Sequence, residues 1–211
     1  MAAQGFCRLG LGSMFAFIGS CSILPRAETI EIYQLPSYST ANANAGHADK
    51  LAWVLRVSTP RGSRVADTQR VLMLSLDNRI SAYKGARWSD PTSALVRNRL
   101  TDAFRADGRV STVNHDNASL LADLELDGDL SAFQVEYIEG APSAVIRFYG
   151  ALVQPAQNRI IATRSFEVMQ PVEGKGMAEV IKAFGKGADK LAGDIVDWTV
   201  EQSYIVRPET R

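Results

Sequence analysis

The sequence predicts a single α+β domain, an antiparallel or mixed β-sheet packed with two main α-helices. Three observations predict it. From Met177 to Trp198 apolar side chains recur at alternating spacings of four and three, the stripe of one helix face. A second helical periodicity follows Asp90. Short β-rich segments bounded by Pro, Gly, Asn and Asp fill most of the rest. Strands, helix, several antiparallel strands and helix is an order that an α+β layer architecture accommodates. The chain has 211 residues, 46% hydrophobic and 22% charged, which suits one domain with its own core.

The elements follow in order. Thr29 to Leu35 alternates and reads as a strand. Residues 37–50 are small and polar and read as a loop. Leu51 to Val57 and Arg70 to Leu74 are strands separated by Pro60 and Gly62. Asp77-Asn78 marks a hairpin turn before a short strand from Ile80 to Lys84. Asp90 is the expected N-cap and Pro91 the first residue of a helix over 91–106, with Leu95, Val96, Leu100, Ala103 and Phe104 at helical spacing. Gly108 stops it.

A meander comes next. Val110 and Val113 share a short strand. In the segment from Leu121 to Tyr137, Leu124, Leu126, Leu130 and Ala132 keep one phase, whereas Phe133, Val135 and Tyr137 keep the other. A one-residue phase change reverses every later side chain, so a bulge is expected near Ala132. Ile146, Phe148 and Leu152 face one way in the following strand, as do Ile160, Ala162, Phe166 and Val168 in the last. Gly140-Ala141-Pro142 and Pro155 to Asn158 are the expected turns. In the final helix Met177, Ile181, Phe184, Ala188, Leu191, Ile195 and Trp198 form the stripe, and Gly185, Gly187 and Gly193 allow close approach to the sheet.

The N-terminus carries an address. Arg8 is the sole charge in residues 1–20, and Leu9 to Gly19 form an apolar run shorter than the about 20 residues that span a bilayer. Ile18-Gly19-Ser20-Cys21 reads as a bacterial lipobox, with Cys21 as the lipidation site. Residues 1–20 are then a signal peptide, 21–28 a lipidated tether, 29–205 the domain and 206–211 a tail. One acyl chain anchors reversibly and two or more hold firmly. Ser22, where an Asp favours inner-membrane retention, points to the outer membrane. The steps from Cys21 to Thr29 span at most about 28 Å, so the domain sits close to the membrane. The mature domain would contain no free thiol, because Cys7 is removed with the signal peptide.

Charge and motifs narrow the function. Lys plus Arg equals Asp plus Glu at 23 each, which argues against a nucleic-acid partner. His47 and His115 stand in polar stretches without ligand spacing, so no metal and no cofactor is expected. No GxSxG elbow or P-loop occurs. Gly174-Lys175-Gly176 and Gly185-Lys186-Gly187 lack the phosphate-loop spacing, and an envelope hydrolase has no nucleophile–base pair to support it. Asp123, Glu125, Asp127 and Asp129 alternate with leucines as a solvated strand face does, with Arg159 and Arg164 as expected ion-pair partners. The most unusual stretch is Tyr83 to Pro91 (YKGARWSDP), read as a loop before a helix cap. Its clustered aromatics and cations fit a binding hot spot, and equally fit a plug of the sheet–helix junction by Tyr83 and Trp88.

That stretch, together with FRADGR from Phe104 to Arg109, Leu55-Arg56-Val57 with Pro60, DLELDGDLSAF from Asp123 to Phe133, and IVDWT from Ile195 to Thr199, resembles the ABC-type transport auxiliary lipoprotein family, the PqiC-like group. The resemblance covers nearly the whole mature chain in order. It implies a lipid-anchored periplasmic protein that docks an MCE-domain protein and its ABC permease and ATPase, or another inner-membrane component, for lipid transport. It implies no catalysis. Tyr83, Arg87 and Trp88 are the partner-contact candidates, and replacing Arg87 and Trp88 with alanine is expected to weaken binding while leaving the fold intact. The alternative is a stand-alone carrier that holds phospholipid in a cavity between sheet and helices. A homo-oligomer is compatible with either.

Overall fold

The computed structural model describes residues 29–39, 51–115 and 121–204. Its elements are β1 (Glu31–Tyr33), β2 (Leu51–Val57), β3 (Arg61–Gly62), β4 (Arg70–Leu74), β5 (Ile80–Trp88), α1 (Thr92–Asp107), β6 (Val110–His115), β7 (Leu124–Ile138), β8 (Ala141–Gln154), β9 (Arg159–Pro171) and α2 (Met177–Ser203). The strands form one mixed sheet, and the two helices pack on it and on each other, as the α+β expectation holds. The signal peptide, the tether with Cys21, most of the 37–50 loop (residues 40–50, with His47) and the tail lie outside the described residues.

The sheet is organised by β7. One of its edges pairs antiparallel with β8 along nearly the whole strand, and β8 pairs antiparallel with β9. The other edge is shared along its length by three parallel neighbours: β2 (Leu55 opposite Leu124), β3 (Arg61 opposite Asp129) and β4 (Leu72 opposite Gln134). Beyond them, β6 flanks β2, and β5 then β1 extend from β4.

The bulge expected near Ala132 is present: the β7–β8 register shifts between Leu130 and Ala132. Leu124, Leu126 and Leu130 before it, and Phe133 and Val135 after it, therefore all reach the same core. Gly128 lies where a Cβ would stand 2.4 Å from the Phe148 ring, so that ring fills the space a side chain would take. The β7–β8 turn is Glu139-Gly140, both at positive φ, beginning one residue earlier than expected, because Ala141 and Pro142 already pair with β7. A second correction concerns Ile160. The β8–β9 register slips between Leu152 and Val153, which leaves Ile160 62% exposed while Phe166 and Val168 stay buried.

Helix α1 starts one residue later than expected and is capped from outside. Pro91 holds the N-cap position without a side-chain cap. Asp90 instead accepts from Ser89 Oγ at 2.8 Å. The cap comes from Asp67, which accepts from the Ser93 N–H at 3.3 Å and from Ser93 Oγ at 2.6 Å, while Thr92 Oγ1 donates to the Ala66 carbonyl. Gly108 ends the helix at φ 74, as expected. In α2 the stripe from Ile181 to Trp198 is buried. Of its glycines, Gly185 meets the Pro36 ring, with a Cβ only 2.8 Å from Pro36 Cγ. Gly187 has room for a Cβ at ordinary contact distance, and Gly193 faces open space. The close approach is therefore to the segment after β1, not to the sheet.

Candidate interaction surface

The stretch expected to be a loop is mostly strand. β5 continues to Trp88 because β1 pairs parallel beside it, Glu31 opposite Ala86 and Tyr33 opposite Trp88. Between the Arg70–Arg87 and Leu72–Ala82 pairs, β5 carries Tyr83 to Ala86 opposite Val71 alone, and Gly85 takes φ 71 in this bulge. The three candidate residues therefore separate. Trp88 is 1% exposed, edge-on to Phe133 (5.6 Å) and Phe184 (5.3 Å), which stack on each other at 4.6 Å. It plugs the junction of sheet and helices and offers no surface. Tyr83 is half-buried against the core, and burial, then the nearby Tyr137, pushes its phenol pKa up. Arg87 alone of the three is fully at the surface.

Arg87 has a particular setting. It stands opposite Ile32 of β1 on one side and opposite Arg70 of β4 on the other. Ile32 is 71% exposed, both arginines are exposed, and neither arginine forms an ion pair among the described residues. Like charges directly across a sheet repel, so this row holds a cost that an anionic group would remove.

Three other arginines of the sheet are paired with carboxylates, whereas among the described residues Arg159 reaches only Gln154 and Arg164 lies over the Phe166 ring. Arg61 reaches Asp127 at 2.7 Å and Asp129 at 2.9 Å, and Arg56 reaches Glu125 at 3.4 Å. Asp123 accepts from the Val54 N–H at 2.8 Å. The acidic run is thus a paired strand face, but its partners are Arg56 and Arg61, not Arg159 and Arg164, because β2 and β3 lie along that half of β7. Farther along, Arg147 grips Glu136 with two nitrogens at 2.6 and 3.0 Å, and Glu167 at 2.7 Å. Arg147 holds the Glu136 carboxyl below the ordinary carboxylate range. A depressed folded pKa contributes stability above the ordinary range and loses it as pH falls through the depressed value. Side-chain NMR titration should find Glu136 below ordinary glutamates. Arg147→Met should return it towards them, at a cost of about 0.5–1 kcal/mol for this partly exposed pair.

A buried polar knot joins the helices. Arg99 of α1 donates to the Asp189 carboxylate of α2 and to the Pro36 carbonyl, and the Ser39 N–H reaches Asp189 at 3.4 Å. The Tyr38 ring centroid lies 5.8 Å from the Arg99 guanidinium carbon. Gly185 and Asp189, one helical turn apart, thus hold residues 36–39 across α2. This arrangement reads as structural, since Arg99 is 5% exposed.

His115 ends β6 instead of lying in a loop. Among the described residues no group of His, Cys, Asp or Glu is placed to hold a metal, and no helix is long and apolar enough to cross a membrane. The layer between sheet and helices is filled by Trp88, Phe133, Phe184, Phe148, Phe166 and Trp198.

Comparison with known proteins agrees with this architecture. A family model described as "ABC-type transport auxiliary lipoprotein component" matches residues 33–196. A crystal structure of a Xanthomonas campestris protein is similar over 83% of this chain and 98% of its own, at 22% identity and a TM-score of 0.71. An uncharacterized protein is similar over 82% and 99%, at 19% identity and 0.62. A hypothetical protein from Chlamydia trachomatis is similar over 75% and 98%, at 10% identity and 0.52. At these identities the likeness is one of fold. No curated protein matches the chain.

Proposed function

This chain belongs to the ABC-type transport auxiliary lipoprotein family, and from that premise we propose that it is a non-catalytic docking subunit of an MCE-type lipid transport system. In this reading Cys21 carries the lipid anchor, and the domain faces the periplasm from the outer membrane. It receives an MCE-domain protein whose ABC permease and ATPase, or another inner-membrane component, stand across the periplasm. The observation that carries the docking role is the exposed row Ile32–Arg87–Arg70, in which two arginines are paired across adjacent strands and neither has an ion pair among the described residues. An acidic segment of the partner satisfies both. The carrier alternative needs an apolar cavity, whereas aromatic side chains fill the layer where it would lie.

The test is affinity capture from detergent-solubilised native membranes through a C-terminal tag, with partners identified by mass spectrometry. The wild-type chain should recover an MCE-domain protein. Arg87→Glu should lose it while the thermal midpoint stays level or rises, since the new carboxylate faces Arg70. Capture of the lipidated chain without any MCE or permease component defeats the docking role. Undiminished capture by Arg87→Glu defeats the assignment to this row.

A further inference from the structure

We infer that the β4–β5 hairpin tip is a membrane-contacting edge, with Leu76 entering the lipid surface to which the chain is tethered. This rests on the reading of Cys21 as the lipid anchor. Leu76 is 82% exposed at the tip, and Ile80, 48% exposed, follows it. The tip is a defined turn: the Asn78 N–H donates to the Ser75 carbonyl at 2.9 Å, Asn78 takes φ 60, and the Ser75 N–H donates to the Arg79 carbonyl at 3.0 Å. Its charges cancel in the Asp77–Arg79 pair at 2.6 Å. Leu74 and Ile80 pair at the level of Glu136, and the next residue, Tyr137, is 40% exposed. The C-terminal end of β7 therefore presents apolar side chains on a rigid hairpin. A tyrosine beside them is a side chain suited to a boundary that is apolar on one side and wet on the other.

An exposed leucine alone would say little, and the opposite end of β7 also carries one. Leu121, 94% exposed, precedes that strand. The path of the chain decides between the two ends. β1 runs parallel to β5, so its N-terminal direction points towards Ile80. Thr29 lies against Gly85, where a Cβ would stand 3.2 Å from the Thr29 carbonyl oxygen. Gly85 lies in the bulge opposite Val71, and from Val71 to Leu74, the partner of Ile80, is about 10 Å at strand rise. From Cys21 to Thr29 is at most about 28 Å. A tether of that length, entering on that side, keeps the hairpin tip within reach of the bilayer and turns Leu121 towards the periplasm.

The experiment uses the full lipidated chain in vesicles of phosphatidylethanolamine with a minority of phosphatidylglycerol. Mass spectrometry first reports acylation at Cys21. An unacylated cysteine overturns the anchor reading, and this placement with it, independently of any probe. An environment-sensitive fluorophore is then attached at Leu76→Cys or at Leu121→Cys. The expected result is a blue shift and several-fold quenching by spin-labelled acyl chains at position 76, with neither at position 121. A third variant carries the probe at Ile80→Cys with Leu76→Asp, and should lose quenching while remaining anchored. An acylated, vesicle-bound chain whose probe at 76 stays in water overturns the proposal. So does quenching at 121, or shielding at 76 that requires an added protein partner.

Discussion

Replacing Trp88 with alanine should destabilise the protein by about 3–5 kcal/mol, the usual cost of removing a buried aromatic and leaving part of its volume empty. The indole is held edge-on by Phe133 of β7 and Phe184 of α2, which themselves stack. Its loss unsupports both rings at once, at the point where β5, the centre of the sheet and the second helix meet. Urea unfolding followed by circular dichroism measures the change, and Trp88→Phe should recover a large part of it. A loss below about 1 kcal/mol would mean that the aromatic cluster repacks freely and that Trp88 is not its keystone. The consequence for function is direct. An Arg87 and Trp88 double alanine variant cannot report on docking, because a failure to bind would follow from a failure to fold. Arg87 has to be tested alone.

Replacing Arg99 with alanine should cost a similar amount, about 3–5 kcal/mol, because it leaves a carboxylate buried without its counter-charge. The Asp189 side chain is 12% exposed and that of Arg99 is 5% exposed. Even with Arg99 present, burial holds the Asp189 pKa above the ordinary carboxylate value, against the opposing pull of the guanidinium. An acid whose folded pKa is raised contributes stability fully below its unfolded pKa and loses that contribution as pH rises through the folded value. Removing Arg99 takes away the pull that favours the charged form, so the raised value rises further. The destabilisation by Arg99→Ala should therefore be largest at neutral pH and shrink on acidification as Asp189 takes up a proton. Urea unfolding at pH 5 and pH 7 checks the sign. A penalty that grows with acid would refute it. Hydrogen exchange should also accelerate over residues 34–39, which lose the Arg99 bond to the Pro36 carbonyl. An apolar pair, Arg99→Met with Asp189→Leu, should restore most of the stability while leaving that segment less firmly held.

Much of the architecture was legible in the order of residues, where one element's own periodicity carries the information. The α2 stripe, the Gly108 stop, the spans of β2 and β4, the turn at Asp77-Asn78 and the phase change near Ala132 are all local. Each depends on how side chains repeat along a helix or strand, or on which residue tolerates positive φ. The reading of Ile18 to Cys21 as a lipobox rests on a contiguous signal of the same kind, and those residues lie outside the described ones. The family resemblance also rests on contiguous motifs, and the match over residues 33–196 agrees with it.

What only the tertiary structure decided is every relation between distant segments. β5 runs on to Trp88 because β1, far away in sequence, lies beside it. Asp67 caps α1 in place of Asp90 because the β3–β4 connection passes the helix start. Arg56 and Arg61 take the acidic face because three parallel strands share one edge of β7. Gly185 is needed by Pro36, not by the sheet. Trp88 and Arg87, neighbours in a stretch with the composition of a hot spot, point to opposite faces of a strand, one into the core and one into solvent. Strand alternation requires that separation once the segment is known to be a strand. Whether it is a strand depends on hydrogen-bond partners that its own residues do not specify. Local preference writes an element's period into the chain, but the pairing that sets its length, face and neighbours is a property of the folded whole.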